Sequence, residues 1–252
     1  MRTLQWAIVA AAAAGVMSAW GDPMRTLVVQ EGKIPQTRQP EMGLRTVYQE
    51  ITETDSPQSD DNYGALEPYL RLALSHDFSL NLAVPLARTE LGGSDSYGLG
   101  DIVVGADLMG WQGALGYPYV MPYARLALPT GDEEEGLGAG ETRLKFGLSL
   151  GTTVEDDWDF VADIGFVARS ETDNSLQLGG ALVYTFRPEF SLLAEVMYES
   201  WSGDALDDRT LALGGLIYRP AERWLIGLYG GTEFGDVDDN LIVGAKLSWT
   251  MR

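Results

Sequence analysis

The chain has 252 residues, with 37 acidic against 17 basic side chains and a formal charge of -20 at pH 7. That balance excludes a nucleic-acid binder, whose contacts to phosphate demand a basic footprint. Cysteine is absent, which removes disulfide frameworks and thiolate metal sites.

The chain opens Met1-Arg2-Thr3 and runs apolar from Trp6 to Trp20, with alanine at 10–14 and small residues Ser18 and Ala19 near its end. A positive start, a short apolar core and a small-residue exit read as a secretory signal peptide over 1–19, cleaved near Ala19. The run is too short for a spanning helix, which needs roughly 20 apolar residues. No later stretch is long and apolar enough either. Entry into a membrane therefore requires a closed barrel, the other structure that satisfies its own backbone in lipid. Residues 20–41 are polar and irregular, with Pro23, Pro35 and Pro40, and read as a periplasmic tail or a plug inside the lumen.

From Met42 to Arg252 the pattern is all-β, and twelve strands are predicted. The first runs Met42 to Thr54, followed by a loop to Gly64. The second is Ala65 to Ser75, and His76-Asp77 turn it into the third, Phe78 to Leu91. The loop Gly92 to Gly100 leads to the fourth, Asp101 to Gln112. The fifth and sixth are the two arms between Tyr119 and Gly151. In the sixth, Leu144, Phe146, Leu148 and Leu150 alternate with Arg143, Lys145, Gly147 and Ser149. This period of two places one set on each face of a strand. The seventh to twelfth are Trp158 to Glu171, Leu176 to Arg187, Phe190 to Gly203, Arg209 to Arg219, Arg223 to Gly235 and Asn240 to Arg252. Only the first strand lacks a clear greasy face, and Gly214-Gly215 in the tenth suggest a bulge.

Segments of about ten alternating residues, joined in turn by short turns and longer acidic loops, are the signature of a transmembrane antiparallel up-and-down β-barrel. Aromatic placement agrees. Phe78, Trp111, Trp158, Phe186, Phe190, Trp224 and Trp249 fall near the short-turn ends, and Tyr48, Tyr198, Trp201 and Phe234 near the others. Two such girdles are what the two membrane-water interfaces select. A secreted β-sandwich would also alternate, but would not require this asymmetry of turns and loops.

The register predicts a lumen face carrying Glu67, Tyr69, Arg71, Tyr123, Arg125, Arg143, Lys145, Asp159, Asp163, Glu195 and Glu199, with Asp107, Arg169, Glu233 and Lys246. Mixed charge in a barrel can line a water-filled path, or pair up and fill the interior. Arg71, Arg125, Arg143 and Lys145 form a candidate basic strip for anionic groups, or else neutralise Asp159, Asp163 and Glu195. Tyr69, Tyr119, Tyr123 and Tyr229 would offer apolar contact.

The acidic loops Asp132 to Glu135, Asp204 to Asp208 and Asp236 to Asp239 read as solvated surface or as a mouth that steers cations. Asp236 to Asn240 mimics the start of a calcium loop, but Leu241 stands where the turn glycine belongs. No metal or cofactor is expected. Nor is catalysis: a serine nucleophile needs a histidine base, and the single histidine, His76, sits in a tight turn.

Gly98-Leu99-Gly100-Asp101, then Leu126-Ala127-Leu128-Pro129-Thr130-Gly131-Asp132, then Leu137-Gly138-Ala139-Gly140, follow one another in order. With the Leu-Gly-Gly…Tyr…Arg-Pro segments around Leu178 to Pro188 and Leu213 to Pro220, they resemble the outer-membrane barrel family called putative MetA-pathway of phenol degradation. The resemblance implies a Gram-negative outer-membrane, porin-like transporter for small solutes, often hydrophobic or aromatic. The competing reading is a non-conducting structural or envelope-interaction barrel. The partners implied are outer-membrane lipid, the solute and the barrel assembly machinery, which would have to accept an internal Trp249 in place of a terminal aromatic.

Overall fold

A computed structural model describes Val29 and residues 40–51, 61–114, 117–155, 157–203, 208–235 and 240–251. The predicted leader, most of the predicted tail and the acidic runs 204–207 and 236–239 lie outside the described residues.

The described segments are β1 (Glu41–Ile51), β2 (Asp61–Ala73), β3 (Phe78–Ala83), β4 (Leu86–Leu91), β5 (Ser94–Leu99), β6 (Ile102–Leu108), β7 (Trp111–Ala114) and β8 (Tyr117–Leu128). They continue with β9 (Arg143–Val154), β10 (Trp158–Arg169), β11 (Ser175–Arg187), β12 (Phe190–Trp201), β13 (Arg209–Ala221), β14 (Trp224–Gly235) and β15 (Asn240–Thr250). Every pairing is antiparallel, and β1 pairs with both β2 and β15, so the sheet closes on itself. Arg45 on β1 faces Glu67 on one side and Lys246 on the other. Because β3 and β4 are two parts of one stave, and β5 to β7 three parts of another, the fifteen segments make a twelve-stranded barrel. Closure removes the sheet edges that lipid could not satisfy.

The two interrupted staves share a cause. Ala83 pairs with Val103 and Leu86 with Leu99, so Val84-Pro85 oppose the three residues Gly100 to Ile102. This is a bulge, and it lets Asp101 and Val103 both end up buried. Proline cannot donate to a ladder, yet the seam is stitched by the Val84 amide on the Pro68 carbonyl (3.1 Å) and the Gly100 amide on the Pro85 carbonyl (2.9 Å).

Two local expectations are corrected. The predicted loop Gly92 to Gly100 is the hairpin β4–β5, turned at Gly92 and Gly93 with φ of 57° and 81°, the left-handed pair a two-residue hairpin favours. Its outer face is polar, Arg88 donating to Asp95 at 2.7 Å, so it lacks the greasy alternation of a lipid-facing strand. Gly214 and Gly215 stay in register with both neighbours. Gly215 instead makes room for the Tyr229 ring, whose Cδ1 would lie 2.9 Å from an added Cβ. The irregularities fall nearer the strand ends, between Thr185 and Arg187 and between Tyr218 and Ala221.

Outward positions are exposed and apolar, among them Leu72, Leu82, Phe146, Ile164, Val196 and Leu228. In a membrane this is the lipid face. At the short-turn end Trp158, Tyr184, Phe186, Phe190 and Tyr218 form a ribbon of successive ring contacts, with centroid distances of 4.3, 6.4, 6.1 and 4.8 Å. Trp224 stacks on Trp249 at 5.9 Å. Tyr48, Tyr198 and Phe234 are exposed near the opposite end. Trp201 departs from the predicted girdle. It lies under the Arg169 guanidinium, 4.0 Å from its ring centroid, with Arg209 at 5.8 Å, so cation–π contact at the barrel mouth takes it from the lipid interface.

Candidate functional site: a two-walled lumen

Alternation sends every second side chain inward, and the inward set divides by strand. On the half built from β1, β2, β6, β8 and β9 it is charged: Glu41, Arg45, Glu67, Arg71, Asp107, Arg125, Arg143 and Lys145 are all buried. From β10 to β15 it is largely apolar, Val161, Val183, Leu193, Met197, Leu213, Ile217 and Ile242 forming one buried cluster with Tyr229. The lumen thus has one polar wall and one apolar wall.

On the polar wall, Asp107 is the hub. It accepts from Arg125 Nη2 at 2.5 Å, Arg71 Nη2 at 3.3 Å, Ser79 Oγ at 3.0 Å and Asn81 Nδ2 at 2.8 Å. Arg71 also reaches Glu41 at 3.4 Å, and Glu41 accepts the Tyr69 hydroxyl at 3.3 Å. Arg45 bonds Glu67. Arg143 donates to Asp101 at 2.8 Å, and Lys145 lies 3.7 Å from Asp163. The predicted basic strip Arg71, Arg125, Arg143 and Lys145 is therefore matched, member by member, by carboxylates. Burial forces this, since an unpaired charge away from water is costly. Asp107 and Glu41 carry more of the network than the sequence suggested, because their partners stand on strands distant in the chain.

At the outer mouth Glu199 plays the same part. It accepts from Ser175 Oγ (2.5 Å), Gln177 Nε2 (3.0 Å), Arg169 Nη2 (3.1 Å) and Arg209 Nη2 (2.7 Å), and Arg209 also approaches Glu233 at 3.5 Å. Asp163 accepts the Tyr123 hydroxyl at 2.8 Å. Asp159, nearer the short-turn end, accepts from Thr153 Oγ1 at 2.5 Å. Glu195 stands on the apolar wall, facing Ala181 and Leu213 across the sheet.

The inward tyrosines lie against glycines. An added Cβ at Gly147 would be 2.5 Å from the Tyr123 ring, and Tyr69, Tyr119 and Tyr229 stand in the same relation to Gly43, Gly151 and Gly227. Only a residue without Cβ permits so close an approach. Each ring is folded along the wall instead of across the bore.

The three glycine-rich motifs meet at the mouth. Thr130 Oγ1 donates to the Gly100 carbonyl at 2.8 Å and accepts the Ile102 amide at 2.9 Å. Asp101 accepts the Gly131 amide at 3.1 Å and the Ala139 amide at 2.9 Å. Leu137 is thereby tucked beneath the hairpin, packed with Tyr63 and Ala87, while Asp132 to Glu135 stay exposed. The 129–142 loop is a clasped cover and has no helix to hold a nucleotide phosphate. On another loop, the Tyr198 hydroxyl and the Trp201 amide (3.1 Å) donate to Asp208. The Tyr198 bond chiefly, then the amide, holds the Asp208 carboxyl below its ordinary pKa. His76 lies exposed in the turn after β2.

Known proteins share this architecture. The COG4313 outer membrane channel from Pseudomonas putida F1 superposes with a TM-score of 0.66 at 15% identity, covering 88% of this chain and 100% of that one. The KdgM porin in complex with disordered oligogalacturonate gives 0.58 at 14%, covering 84% and 99%. The CymD monoaromatic hydrocarbon channel gives 0.50 at 9%, covering 86% and 89%. At these identities the likeness is one of fold. No curated protein matches the sequence. The model of one family does, from residue 34 to residue 251, and the chain belongs to that family, "Putative MetA-pathway of phenol degradation".

Proposed function

We propose that this barrel is an outer-membrane channel for small amphipathic solutes, reached after export by the N-terminal leader, and that it performs no covalent chemistry. The observation that carries the reading is the division of the lumen. A molecule with an apolar body and one polar edge finds dispersion and desolvation on the β10–β15 side and hydrogen-bonding partners on the β1–β9 side. A sugar wastes the first wall and an alkane the second. The family's name and the channel names of the neighbours support small, often aromatic, solutes.

In the two-walled bore Tyr69, Arg71, Tyr123, Arg125, Arg143, Lys145 and Glu67 would present the polar edge, with Asp159, Asp163, Glu195 and Glu199 at its margins. Because the basic groups are already paired, selectivity is set by shape and hydrogen bonding more than by net charge. One observation favours the competing structural reading: Arg71, Asp107, Lys145 and Glu199 are at most 1% exposed, so the interior is filled by pairs rather than lined by solvated charges. Swelling of proteoliposomes containing the full mature chain decides between the two. Benzyl alcohol should enter faster than a sugar alcohol of similar mass, relative to protein-free vesicles. Equal rates for both, at the protein-free level, would favour the structural barrel.

A further inference from the structure

Val29 is the one described residue before Pro40, and it lies inside the barrel. It is fully buried in the apolar wall cluster with Val161, Ala181 and Leu213. Its amide donates to Glu195 Oε2 at 3.0 Å. Its Cγ2 lies 3.1 Å from where a Cβ on Gly179 would stand, and its Cγ1 3.7 Å.

Three observations give this contact meaning. First, Glu195 is 1% exposed and faces Ala181 and Leu213 on its neighbouring strands. A carboxylate set in an apolar wall is costly unless donors reach it, and Val29 brings one. Secondly, Gly179 leaves a recess where its strand neighbours carry Asp163 and Met197, and the valine isopropyl group fills it. Thirdly, the Pro40 carbonyl accepts the Met251 amide at 2.9 Å beside the end of β15. The eleven residues from Val29 to Pro40 can span about 36–40 Å, so the seat is within reach of a chain entering from that end.

We propose that the Gly179–Glu195 recess is a binding site for a small apolar group carrying one N–H or O–H donor, and that Val29 occupies it as a built-in stopper which such a solute displaces. The proposal rests on the channel reading and deepens it by naming the seat and the donor chemistry. Val29 presents what the site selects: a branched apolar body and a single donor. A hydroxyl on a ring of similar width satisfies the same carboxylate lone pair, whereas a ketone of the same size offers only an acceptor and repels it.

The absence of native cysteine makes the test direct. The full chain carrying Val29→Cys and Gly179→Cys is reconstituted and mildly oxidised, beside a Leu182→Cys/Ala194→Cys pair as the cross-strand control. Cross-linking of the first pair is expected, slowed severalfold by cyclohexanol and unaffected by cyclohexanone. Failure of the Val29–Gly179 pair while the control pair links overturns the seat, and equal slowing by the two probes overturns the donor selectivity. Val29→Asp, which sets a carboxylate beside Glu195 and Asp163, is the independent arm. It should raise planar-bilayer conductance severalfold over wild type, and an unchanged, measurable conductance overturns the stopper. If cross-linking and its cyclohexanol sensitivity hold while no form conducts, the site stands and the channel reading falls.

Discussion

Arg143 Nη2 donates to Asp101 Oδ2 at 2.8 Å, joining the bulge between β5 and β6 to the first residue of β9. The same carboxylate holds the Gly131 and Ala139 amides. One side chain thereby fixes the barrel wall and the long loop that covers the mouth.

Asp101→Ala leaves the Arg143 guanidinium buried without this partner and frees two loop amides. Breaking a buried pair from one side costs about 3–5 kcal/mol. The expected outcome is a lower unfolding midpoint by heat-modified gel mobility, together with new protease cleavage between 129 and 142 in intact vesicles. Protection equal to wild type would remove the clasp from the account.

Gly147→Val drives a side chain into the Tyr123 ring. Overpacking of this kind costs about 1–3 kcal/mol, and the ring must swing into the bore. Tyr123→Ala in the same chain should recover most of the loss, a coupling that a double-mutant cycle in urea measures. Additive losses would mean that the ring does not rest on Gly147.

Val196 is outward and 52% exposed, whereas its neighbour Met197 is 3% exposed and inward. If the outer face meets lipid, Val196→Arg destabilises folding into bilayers by about 2–4 kcal/mol near the midplane. In a detergent that leaves water at that face the penalty should shrink. Folding titrations in the two media compare them.

Asp208 has its carboxyl pKa lowered by the Tyr198 hydroxyl and the Trp201 amide. A group with a depressed folded pKa contributes stability above its unfolded value and loses it as pH falls. The 201–208 turn should therefore be fully held above the ordinary aspartate value near 3.8, loosening as pH drops through that value toward the folded one. Hydrogen exchange at the Trp201 amide across this range is the measurement, and Asp208→Asn should flatten the profile.

Strands were legible where one face meets lipid and the other the lumen, as in Leu144 to Leu150, because the two solvents impose period two on the side chains. The inward positions of Arg71, Arg125, Arg143 and Lys145 follow from that register alone. Their partners do not, since Arg71 and Asp107 are 36 residues apart and meet only after β3 and β6 pair. The β4–β5 hairpin was hidden because both its faces lie outside the greasy band. Trp201 was misplaced because an indole suits a lipid interface and an arginine pair equally well, and only the fold chooses. The glycine motifs were visible as a pattern, but the carboxylate that gathers them was not.

The account turns on whether the bore passes solute, and single-channel recording of the purified, refolded chain in a planar bilayer addresses that most directly. Discrete conductance steps are predicted, with rare openings and a weak ion preference, as fits a stoppered lumen whose basic groups are paired. A membrane that stays silent with both wild type and Val29→Asp, while the protein remains folded by gel mobility, would contradict it.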